Sequence, residues 1–359
     1  MTDHAAISLS RLGWSDSYQH AFAPYLSTCR PGRVVRVDRG VCTVMAESGP
    51  HRASLGGDVL DAMSTDSTQG PCAGDWCAIR FWPDGPTTIE AVLPRHNAIR
   101  RAVANRRSEA QVLAANIDVA AIMDSLLPAP ALGKLERLLA LAWESGAVPV
   151  VLLSKADLAA DAEQIATDVR AAAPGVDVIC CSTVTGLGLD RIRALLDPAR
   201  TLALVGSSGV GKSSLVNALV GTTVLETRRI RDDGRGRHTS VRRELVLLPG
   251  GGTVIDMPGL RGVGLIDADD GIATTFADME RLVGSCRFHD CAHSGEPGCA
   301  VAAALTEGTL SVRRFESWQK LQREMEWMRR RTDARMAAAH TKKWRKLTKE
   351  RRNYQRNLP

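Results

Sequence analysis

The chain has 359 residues, of which 44% are hydrophobic and 24% charged, and its formal net charge is +6. This length exceeds what one hydrophobic core usually serves, so two or three globular domains are expected. No apolar run is long enough to span a membrane, and the N-terminus lacks the basic and apolar regions of a signal peptide. We therefore expect a protein that neither spans a membrane nor is secreted, namely a cytoplasmic protein with no membrane partner.

The N-terminal third has the pattern of a small β-barrel. Residues 1–30 hold scattered aromatic side chains and predict a short helix with loose ends. Short apolar runs follow at 33–37, 41–45, 77–81 and 87–92. Turns rich in Gly and Asp separate them. Such spacing predicts a barrel, and five strands would fit an OB-fold, which often binds oligonucleotides. We assign it to residues 31–94; a barrel with no nucleic-acid role is the alternative.

The middle of the chain alternates strands and helices. A basic, polar stretch at 95–116 is interpreted as a linker. Strand-like runs follow at 117–123, 148–153, 176–181, 201–205, 244–248 and 252–255. Helical patterns separate the first four of them and follow the fourth, at 132–143, 159–172, 188–196 and 215–220. This alternation predicts a mainly parallel sheet covered on both faces, in a domain that spans residues 117–268.

One loop of this domain has the sequence of a phosphate-binding loop. It follows a strand-like run and precedes a helix, and it reads Gly206, Ser207, Ser208, Gly209, Val210, Gly211, Lys212, Ser213 and Ser214. Glycines allow the backbone N–H groups to surround phosphates, and the start of the helix adds further donors. Lys212 is expected to reach the β- and γ-phosphates and Ser213 to ligate Mg²⁺. The loop therefore predicts binding of a nucleoside triphosphate.

A second motif lies at the end of the 252–255 strand. Asp256 and Gly259 form a D-x-x-G element, in which Asp256 is expected to hold Mg²⁺ through water and the Gly259 N–H to touch the γ-phosphate. The charged, glycine-rich segment 232–240 lies between the two motifs and predicts a mobile loop. Thr239 in that loop would add a hydroxyl to Mg²⁺ when the γ-phosphate is present.

Two further strand ends carry residues suited to guanine. Asp157, in the sequence Ser154-Lys155-Ala156-Asp157, can accept hydrogen bonds from N1–H and the exocyclic amine, and the Lys155 stem can cover the base. Ser154 replaces the usual asparagine. The loop that begins at Ser182 would contact guanine O6 through its backbone. Both elements precede the phosphate loop, a rotated chain order that still brings every loop to the same sheet edge.

Four residues near the C-terminus form a set of metal ligands. Cys286, Cys291, His293 and Cys299 lie within 14 residues, and three thiolates with one imidazole are typical of a closed structural zinc site. Disulfides are the alternative, and His289 in place of His293 is not excluded. The six other cysteines are interpreted as buried free thiols.

The positive charge is concentrated in the C-terminal tail. Residues 313–359 contain 16 Lys and Arg against 5 Asp and Glu, a local charge of +11 that leaves −5 on residues 1–312. Aromatic residues lie among these cations, including Trp318, Trp327, Trp344 and Tyr354. Basic side chains can neutralise phosphates while aromatic rings stack on unpaired bases, so nucleic acid is the expected partner. A merely solvated basic helix is the alternative.

The combination of motifs resembles the RsgA (YjeQ) family of circularly permuted GTPases. The resemblance covers about residues 30–320, and its best markers are 206–214, 234–239, 249–252, 256–260 and the cysteine spacing. It implies a multidomain α/β protein with an OB-fold barrel, a permuted P-loop GTPase domain and a helical zinc-binding domain at 269–359. It also implies a monomer that acts in late 30S ribosomal subunit assembly, with GTP hydrolysis stimulated by the subunit and coupled to release from it.

Two positions near the D-x-x-G element and the 232–240 loop bear on catalysis. Leu260 stands where many GTPases carry a glutamine that orients water, so intrinsic hydrolysis is expected to be slow. His238 beside Thr239 is the candidate to orient that water, with a solvated loop histidine as the alternative. A second hypothesis is an RNA-binding module in which the nucleotide is only structural. An ATP-dependent kinase is disfavoured by Asp157.

Overall fold

The N-terminal part of the chain folds into a closed five-stranded barrel. The computed structural model describes residues 7–102, 110–196, 199–225, 243–259, 265 and 268–332. The barrel is built from β1 (Arg30–Asp38), β2 (Val41–Ala46), β3 (Gly49–Leu55), β4 (Trp76–Phe81) and β5 (Thr87–Val92), in the order β1-β2-β3-β5-β4. The four predicted strands are confirmed.

The fifth strand, β3, was missing from the sequence-based assignment. Its residues include Pro50, His51 and Arg52, so it lacks the apolar alternation that identified the other strands. It pairs antiparallel with β2 and parallel with β5, which closes the barrel. A helix, α2 (Gly57–Thr65), and a 3-10 turn at Ser67–Gln69 connect β3 to β4.

The N-terminal segment packs against one end of the barrel. It contains 3-10 turns at Leu9–Leu12 and Ala23–Tyr25 and the helix α1 (Asp16–Phe22). Leu12, Tyr18 and Phe22 are buried with Trp76 of β4, and the Trp14 and Trp76 rings lie 4.7 Å apart between centroids. The described part of this segment therefore packs as part of the barrel core, without the loose ends expected from the sequence. Residues 1–6 lie outside the described residues.

A hairpin lies within the stretch interpreted as a linker. The strands β6 (Ala98–Ala102) and β7 (Ala110–Ala115) pair antiparallel, and Ile99 and Leu113 are fully buried. The segment thus contributes to the core that it joins. The domain boundaries proposed from the sequence remain predictions.

The central domain is a six-stranded sheet. Its strands are β8 (Val119–Ser125), β9 (Val148–Ser154), β10 (Asp177–Cys180), β11 (Thr201–Gly206), β12 (Glu244–Leu247) and β13 (Thr253–Asp256). They lie in the order β10-β9-β8-β11-β13-β12, all parallel except for the antiparallel edge strand β12. The helices are α3 (Leu132–Glu144), α4 (Ala162–Ala172), α5 (Leu189–Ala194) and α6 (Lys212–Val220). This is the predicted parallel architecture.

Alternate residues of the strands face two separate cores. One face contributes residues such as Val150, Leu202 and Leu204, and α5 and α6 cover it. The other contributes Val151, Ala203 and their alternates, which pack against α3, α4 and the C-terminal helices. Because both faces are covered, the strands are almost entirely apolar, as is usual for a parallel sheet.

The C-terminal region is helical. It contains α7 (Asp269–Thr275), α8 (Ala277–Gly284), α9 (Ala300–Thr306) and the long α10 (Val312–Thr332). The backbone of α7 lies close to α3, since a Cβ added at Gly271 would lie 2.1 Å from the Ala140 carbonyl oxygen. In the described part of the chain, no helix combines the length and apolar character needed to cross a membrane.

A buried arginine joins the barrel to the central sheet. Arg33 of β1 is 1% exposed and donates to the Thr201 hydroxyl at 2.7 Å, to the Asn116 carbonyl at 3.1 Å and to the Gly74 carbonyl at 3.2 Å. Burial lowers the pKa of this guanidinium to about 10. Its partners lie on the barrel, on the segment before β8 and at the start of β11, so this side chain is a polar contact between the two domains, far from the carboxyl ends of the strands.

Candidate nucleotide-binding site and metal centre

The phosphate loop leaves the end of β11 and enters α6. Gly206 has no room for a side chain, since a Cβ there would lie 2.2 Å from the Met123 carbonyl oxygen of β8. Gly209 and Gly211 have φ angles of 80° and 101°, a region that favours glycine. Ser208 and Gly209 are exposed, Val210 is buried, and Ser214 lies in the first turn of α6. The loop therefore presents its backbone at the carboxyl edge of the sheet, as the motif predicts.

Lys212 lies within this loop. Its Nζ donates to the carbonyl oxygens of Ser207 at 2.8 Å and Gly206 at 3.1 Å. Burial lowers the pKa of the Lys212 ammonium, and the nearby Lys134 lowers it further, while Asp256 raises it. A buried cation with a depressed pKa gains stability from an added negative charge, so this position favours a phosphate.

Asp256 and Ser213 form the adjacent polar pair. The Ser213 hydroxyl donates to Asp256 Oδ2 at 2.8 Å, whereas Asp256 Oδ1 is buried and accepts no hydrogen bond from the described residues. Burial raises the pKa of Asp256, and the Ser213 and Lys212 contacts only partly offset this effect. An unsatisfied carboxylate oxygen beside a hydroxyl suits a hard divalent cation, which prefers oxygen ligands. The residues present thus fit Mg²⁺.

Gly259 touches the phosphate loop directly. A Cβ at this position would lie 2.4 Å from the backbone nitrogen of Ser208 and 2.8 Å from its Cα. We therefore expect Gly259→Ala to displace the phosphate loop and to weaken nucleoside triphosphate binding at least tenfold, measured by titration calorimetry. Gly250→Ala is the matched control, because a Cβ there meets nothing within 4 Å. Equal affinities in the two variants would contradict the close approach.

The two elements proposed to read the base also meet. Asp157 follows the end of β9 in a 3-10 turn at Ala156–Leu158, and Lys155 before it has a φ of 61°. The Ser182 hydroxyl, which follows β10, donates to Asp157 Oδ1 at 2.6 Å and accepts from the backbone N–H groups of Val184 and Thr185. The carboxylate is therefore fixed while its second oxygen stays available to a ligand.

Ser154 connects this base-reading region to the phosphate loop. Its hydroxyl lies 2.7 Å from the Val210 carbonyl oxygen and 3.2 Å from that of Asp124. The residues encoded before the phosphate loop thus lie beside it in space, which the rotated chain order required. Asp157, Ser182, Lys212, Ser213, Asp256 and Gly259 are all brought to the carboxyl edge of one sheet.

Lys134 is a residue of this edge that the sequence interpretation missed. It lies in the first turn of α3, and its Nζ is 2.5 Å from the Ser207 hydroxyl and 3.5 Å from the Asp124 carboxylate. Asp124 is the last residue but one of β8, the neighbour of β11. A lysine that begins the helix after a central parallel strand is the signal that could have identified it, because such positions face the ligand edge. Thr239, His238 and Leu260 lie outside the described residues.

The four predicted metal ligands converge. Their ligand atoms lie within 4.8 Å of one another, with the His293 Nδ1 at 3.5 Å from the Cys299 sulfur and 3.7 Å from the Cys286 sulfur. A tetrahedral zinc with bonds of about 2.0–2.3 Å requires ligand separations of about 3.5–3.8 Å. The cluster could therefore hold one zinc ion. His293, which has a φ of 59°, is the histidine of this cluster rather than His289.

Removal of one thiolate tests this centre. Cys299 also caps α9 by accepting from the Ala302 N–H at 3.3 Å. Cys299→Ser is expected to lower bound zinc from about one to about zero per chain and to destabilise α8 and α9, because structural zinc contributes folding free energy. Cys29→Ser, a buried thiol of the barrel region, is expected to retain the metal. Elemental analysis measures both, and a full zinc content in Cys299→Ser would exclude this ligand set.

Comparison with known proteins places this architecture in a family. A family model described as RsgA GTPase matches residues 92–266, and one described as 50S ribosome-binding GTPase matches residues 201–337. The small ribosomal subunit biogenesis GTPase RsgA of Streptomyces coelicolor is 48% identical over 96% of this chain and 93% of its own length. Its counterpart from Streptomyces avermitilis is also 48% identical, over 93% of this chain and 90% of its own.

Solved structures agree on the fold. The crystal structure of YjeQ from Thermotoga maritima matches with a TM-score of 0.59 at 24% identity, covering 82% of this chain and 98% of its own. The circularly permuted GTPase YloQ matches with a TM-score of 0.54 at 23% identity, over 83% of this chain and 95% of its own. With an OB-like barrel, the rotated order of site elements and nearly full-length relatives at 48% identity, the chain belongs to the RsgA family of circularly permuted GTPases.

Proposed function

We propose that this protein is a cytoplasmic GTP hydrolase that acts in late maturation of the 30S ribosomal subunit. It binds 16S rRNA, and hydrolysis stimulated by the subunit times its release. One observation carries the GTPase assignment: the hydroxyl of Ser154 bridges to Val210, so the base-reading pair and the phosphate loop form one site. The relatives named above as small ribosomal subunit biogenesis GTPases support the cellular role.

Different residues of the site bind the base, the phosphates and the metal ion. Asp157 accepts from the guanine Watson–Crick edge, while the phosphate-loop N–H groups and Lys212 neutralise the phosphates. Ser213, Asp256 and Thr239 would hold Mg²⁺, which supplies charge neutralisation of the β- and γ-phosphates when bound. Lys212 Nζ now donates to Gly206 and Ser207. Phosphate oxygens would compete for these donors, so binding of GTP would draw the lysine toward the ligand.

Hydrolysis requires a group that orients water. Leu260 cannot hydrogen-bond, so turnover by the protein alone is slow in this proposal. His238 supplies the acceptor once the ribosomal subunit fixes its loop. His238→Ala is expected to retain GTP affinity within about twofold while lowering subunit-stimulated turnover about 100-fold or more, the lower end of the range for general acid–base effects. His289→Ala serves as the control histidine, and an unchanged stimulated rate in His238→Ala would remove that residue from the mechanism.

The partner surfaces are proposed from the same framework. The barrel and the basic C-terminal tail bind rRNA, the zinc centre is structural, and the protein acts as a monomer. Arg313 and Arg329 of α10 already pair with Glu136 and Asp269 of the body, so the tail begins from a fixed helix. Basic residues beyond it would add phosphate contacts, and RNA affinity would therefore fall steeply with salt.

Multiple-turnover phosphate release tests the proposal. Purified protein is given GTP with and without small ribosomal subunits, and with ATP as the competing nucleotide. The proposal expects slow release alone, at least tenfold stimulation by the subunit, and little competition by ATP. A second function, an RNA-binding module with GTP as a structural ligand, is favoured only by Leu260. Such a module would bind GTP but release no phosphate, either with or without small ribosomal subunits. That result would overturn the proposal that the protein hydrolyses GTP.

A further inference from the structure

Ser154 occupies the point where the guanine-reading region begins. It ends β9 and is 5% exposed, so its hydroxyl is enclosed by protein. The two nearest acceptors are carbonyl oxygens, Val210 at 2.7 Å and Asp124 at 3.2 Å. Carbonyl oxygens only accept hydrogen bonds, so the serine must be the donor in either contact.

A serine has a single proton to donate. The shorter distance assigns this proton to Val210, the phosphate-loop residue two positions before Lys212. Among the described residues, the Asp124 carbonyl is the alternative acceptor. Both possibilities consume the donor within the protein. What remains on the hydroxyl oxygen is a pair of acceptor sites.

The edge of guanine that carries N7 and O6 presents acceptors only. An acceptor on the protein cannot pair with them, so a serine committed to Val210 contributes no hydrogen bond to this edge. An asparagine at the same position would have two N–H donors, enough to bond the phosphate loop and N7 together. The substitution in this chain therefore separates two tasks that an amide could combine.

We propose that Ser154 is a positioning residue that ties the base-reading region to the phosphate loop, and that this protein binds guanine without a side-chain donor from this position to N7. The inference rests on the proposed GTP binding and deepens it. Selection of guanine falls on Asp157, whose carboxylate is held by Ser182 at the end of the neighbouring strand. Side-chain discrimination is thereby confined to the N1 and 2-amino groups, and purines altered only at N7 are accepted.

The analogue 7-deaza-GTP, in which C–H replaces N7, measures this contact. Titration calorimetry on the full chain with Mg²⁺ is expected to give dissociation constants for GTP and 7-deaza-GTP that agree within about twofold. Ser154→Asn is expected to lower the dissociation constant of GTP but not that of 7-deaza-GTP. The ratio of the two constants should then be about five, the effect of one added hydrogen bond. Ser154→Ala removes the connection to Val210 and is expected to weaken both nucleotides equally, about fivefold, with the ratio unchanged.

A buried serine away from the site provides the matched control. Ser145 directly follows α3 and donates to the Ala142 carbonyl, so Ser145→Ala should change neither the two dissociation constants nor their ratio. Wild-type discrimination of fivefold or more against 7-deaza-GTP, lost in Ser154→Ala, would show that the hydroxyl reaches N7 and would overturn the inference. Equal affinities for the two nucleotides in Ser154→Asn would overturn the assignment of N7 to this position. Failure of the wild type to prefer GTP over ATP would instead overturn the proposed function.

Discussion

Asp157→Asn is expected to lower GTP affinity about 100-fold and to create affinity for xanthosine triphosphate. The carboxylate can accept from both N1–H and the 2-amino group of guanine, whereas an amide offers one acceptor and one donor. The donor then faces the guanine amine without a partner. Losing one charge-assisted hydrogen bond and leaving another donor unpaired costs about 3 kcal/mol, which corresponds to about 100-fold.

Xanthine reverses this mismatch because a carbonyl replaces the 2-amino group. The asparagine amide can donate to that carbonyl and accept from N1–H, so both bonds are restored. Competition between the two triphosphates for a fluorescent analogue measures the switch. Asp161→Asn, an exposed carboxylate four residues further along, is the control and should retain GTP preference. A variant of Asp157 that still prefers GTP would show that this carboxylate does not read the base.

The residues whose convergence in space can be predicted are those that lie close together in sequence. The phosphate loop needs glycines, a lysine and a hydroxyl at fixed spacing, and all of these belong to one strand–loop–helix unit. The four candidate zinc ligands similarly lie within 14 residues. Residues that are close in sequence stay close in space however the rest of the chain is arranged. The sequence alone was therefore sufficient to predict that these residues converge.

Contacts between distant segments could not be predicted in the same way. The Ser154 bond to Val210 joins residues 56 positions apart, and Lys134 meets Ser207 across 73 positions. Both depend on β8 lying between β9 and β11, a strand order that the sequence does not encode locally. The strand β3 was missed for a different reason: its proline, histidine and arginine hide the alternation that identifies a strand.

The basic C-terminal region shows how composition can mislead. A run rich in arginine predicts a solvated face, yet Arg314 is 4% exposed. All five of its N–H donors are used: Nε and Nη2 bind the Asp278 carboxylate, Nη2 also binds the Thr275 carbonyl, and Nη1 binds Glu136 and the Ala172 carbonyl. Its guanidinium also lies 4.2 Å from the centre of the Phe276 ring. The first turn of α10 is therefore fixed to four other helices.

Glu136 links the helix α3 to the arginines at the start of α10. It lies on α3 two residues after Lys134, is fully buried, and accepts from Arg314 at 2.8 Å and from Arg313 at 3.0 and 3.1 Å. The same helix thus contacts the phosphate loop through its first turn and the C-terminal helices through its buried face. Arg137, the next residue, reaches Glu324 of α10 with both guanidinium nitrogens at 2.5 Å.

Arg314→Met is expected to destabilise the protein by about 3–5 kcal/mol, because it leaves the Glu136 charge buried with one surface arginine as its remaining partner. Arg313→Met is the matched control: its side chain is 42% exposed and binds the same carboxylate, so its loss should cost less than about 1 kcal/mol. Arg314→Lys retains the charge but not the five donors, so its loss of stability should lie between those of Arg313→Met and Arg314→Met. Urea unfolding followed by circular dichroism measures all three, and equal losses for Arg313→Met and Arg314→Met would refute the buried network.

Acid provides an independent measure of the same contact. Partial burial would raise the pKa of Asp278, but the hydrogen bonds and charge of Arg314 outweigh it and hold that pKa below its usual value. A carboxyl whose pKa is lower in the folded chain stabilises the fold above its unfolded pKa of about 3.9, and this contribution disappears as the pH falls through the folded value. The difference in unfolding free energy between wild type and Arg314→Met should therefore be largest at neutral pH and should decrease below about pH 4. A difference that stays constant from pH 7 to pH 3 would mean that the arginine stabilises the fold by packing, without its pairing to Asp278.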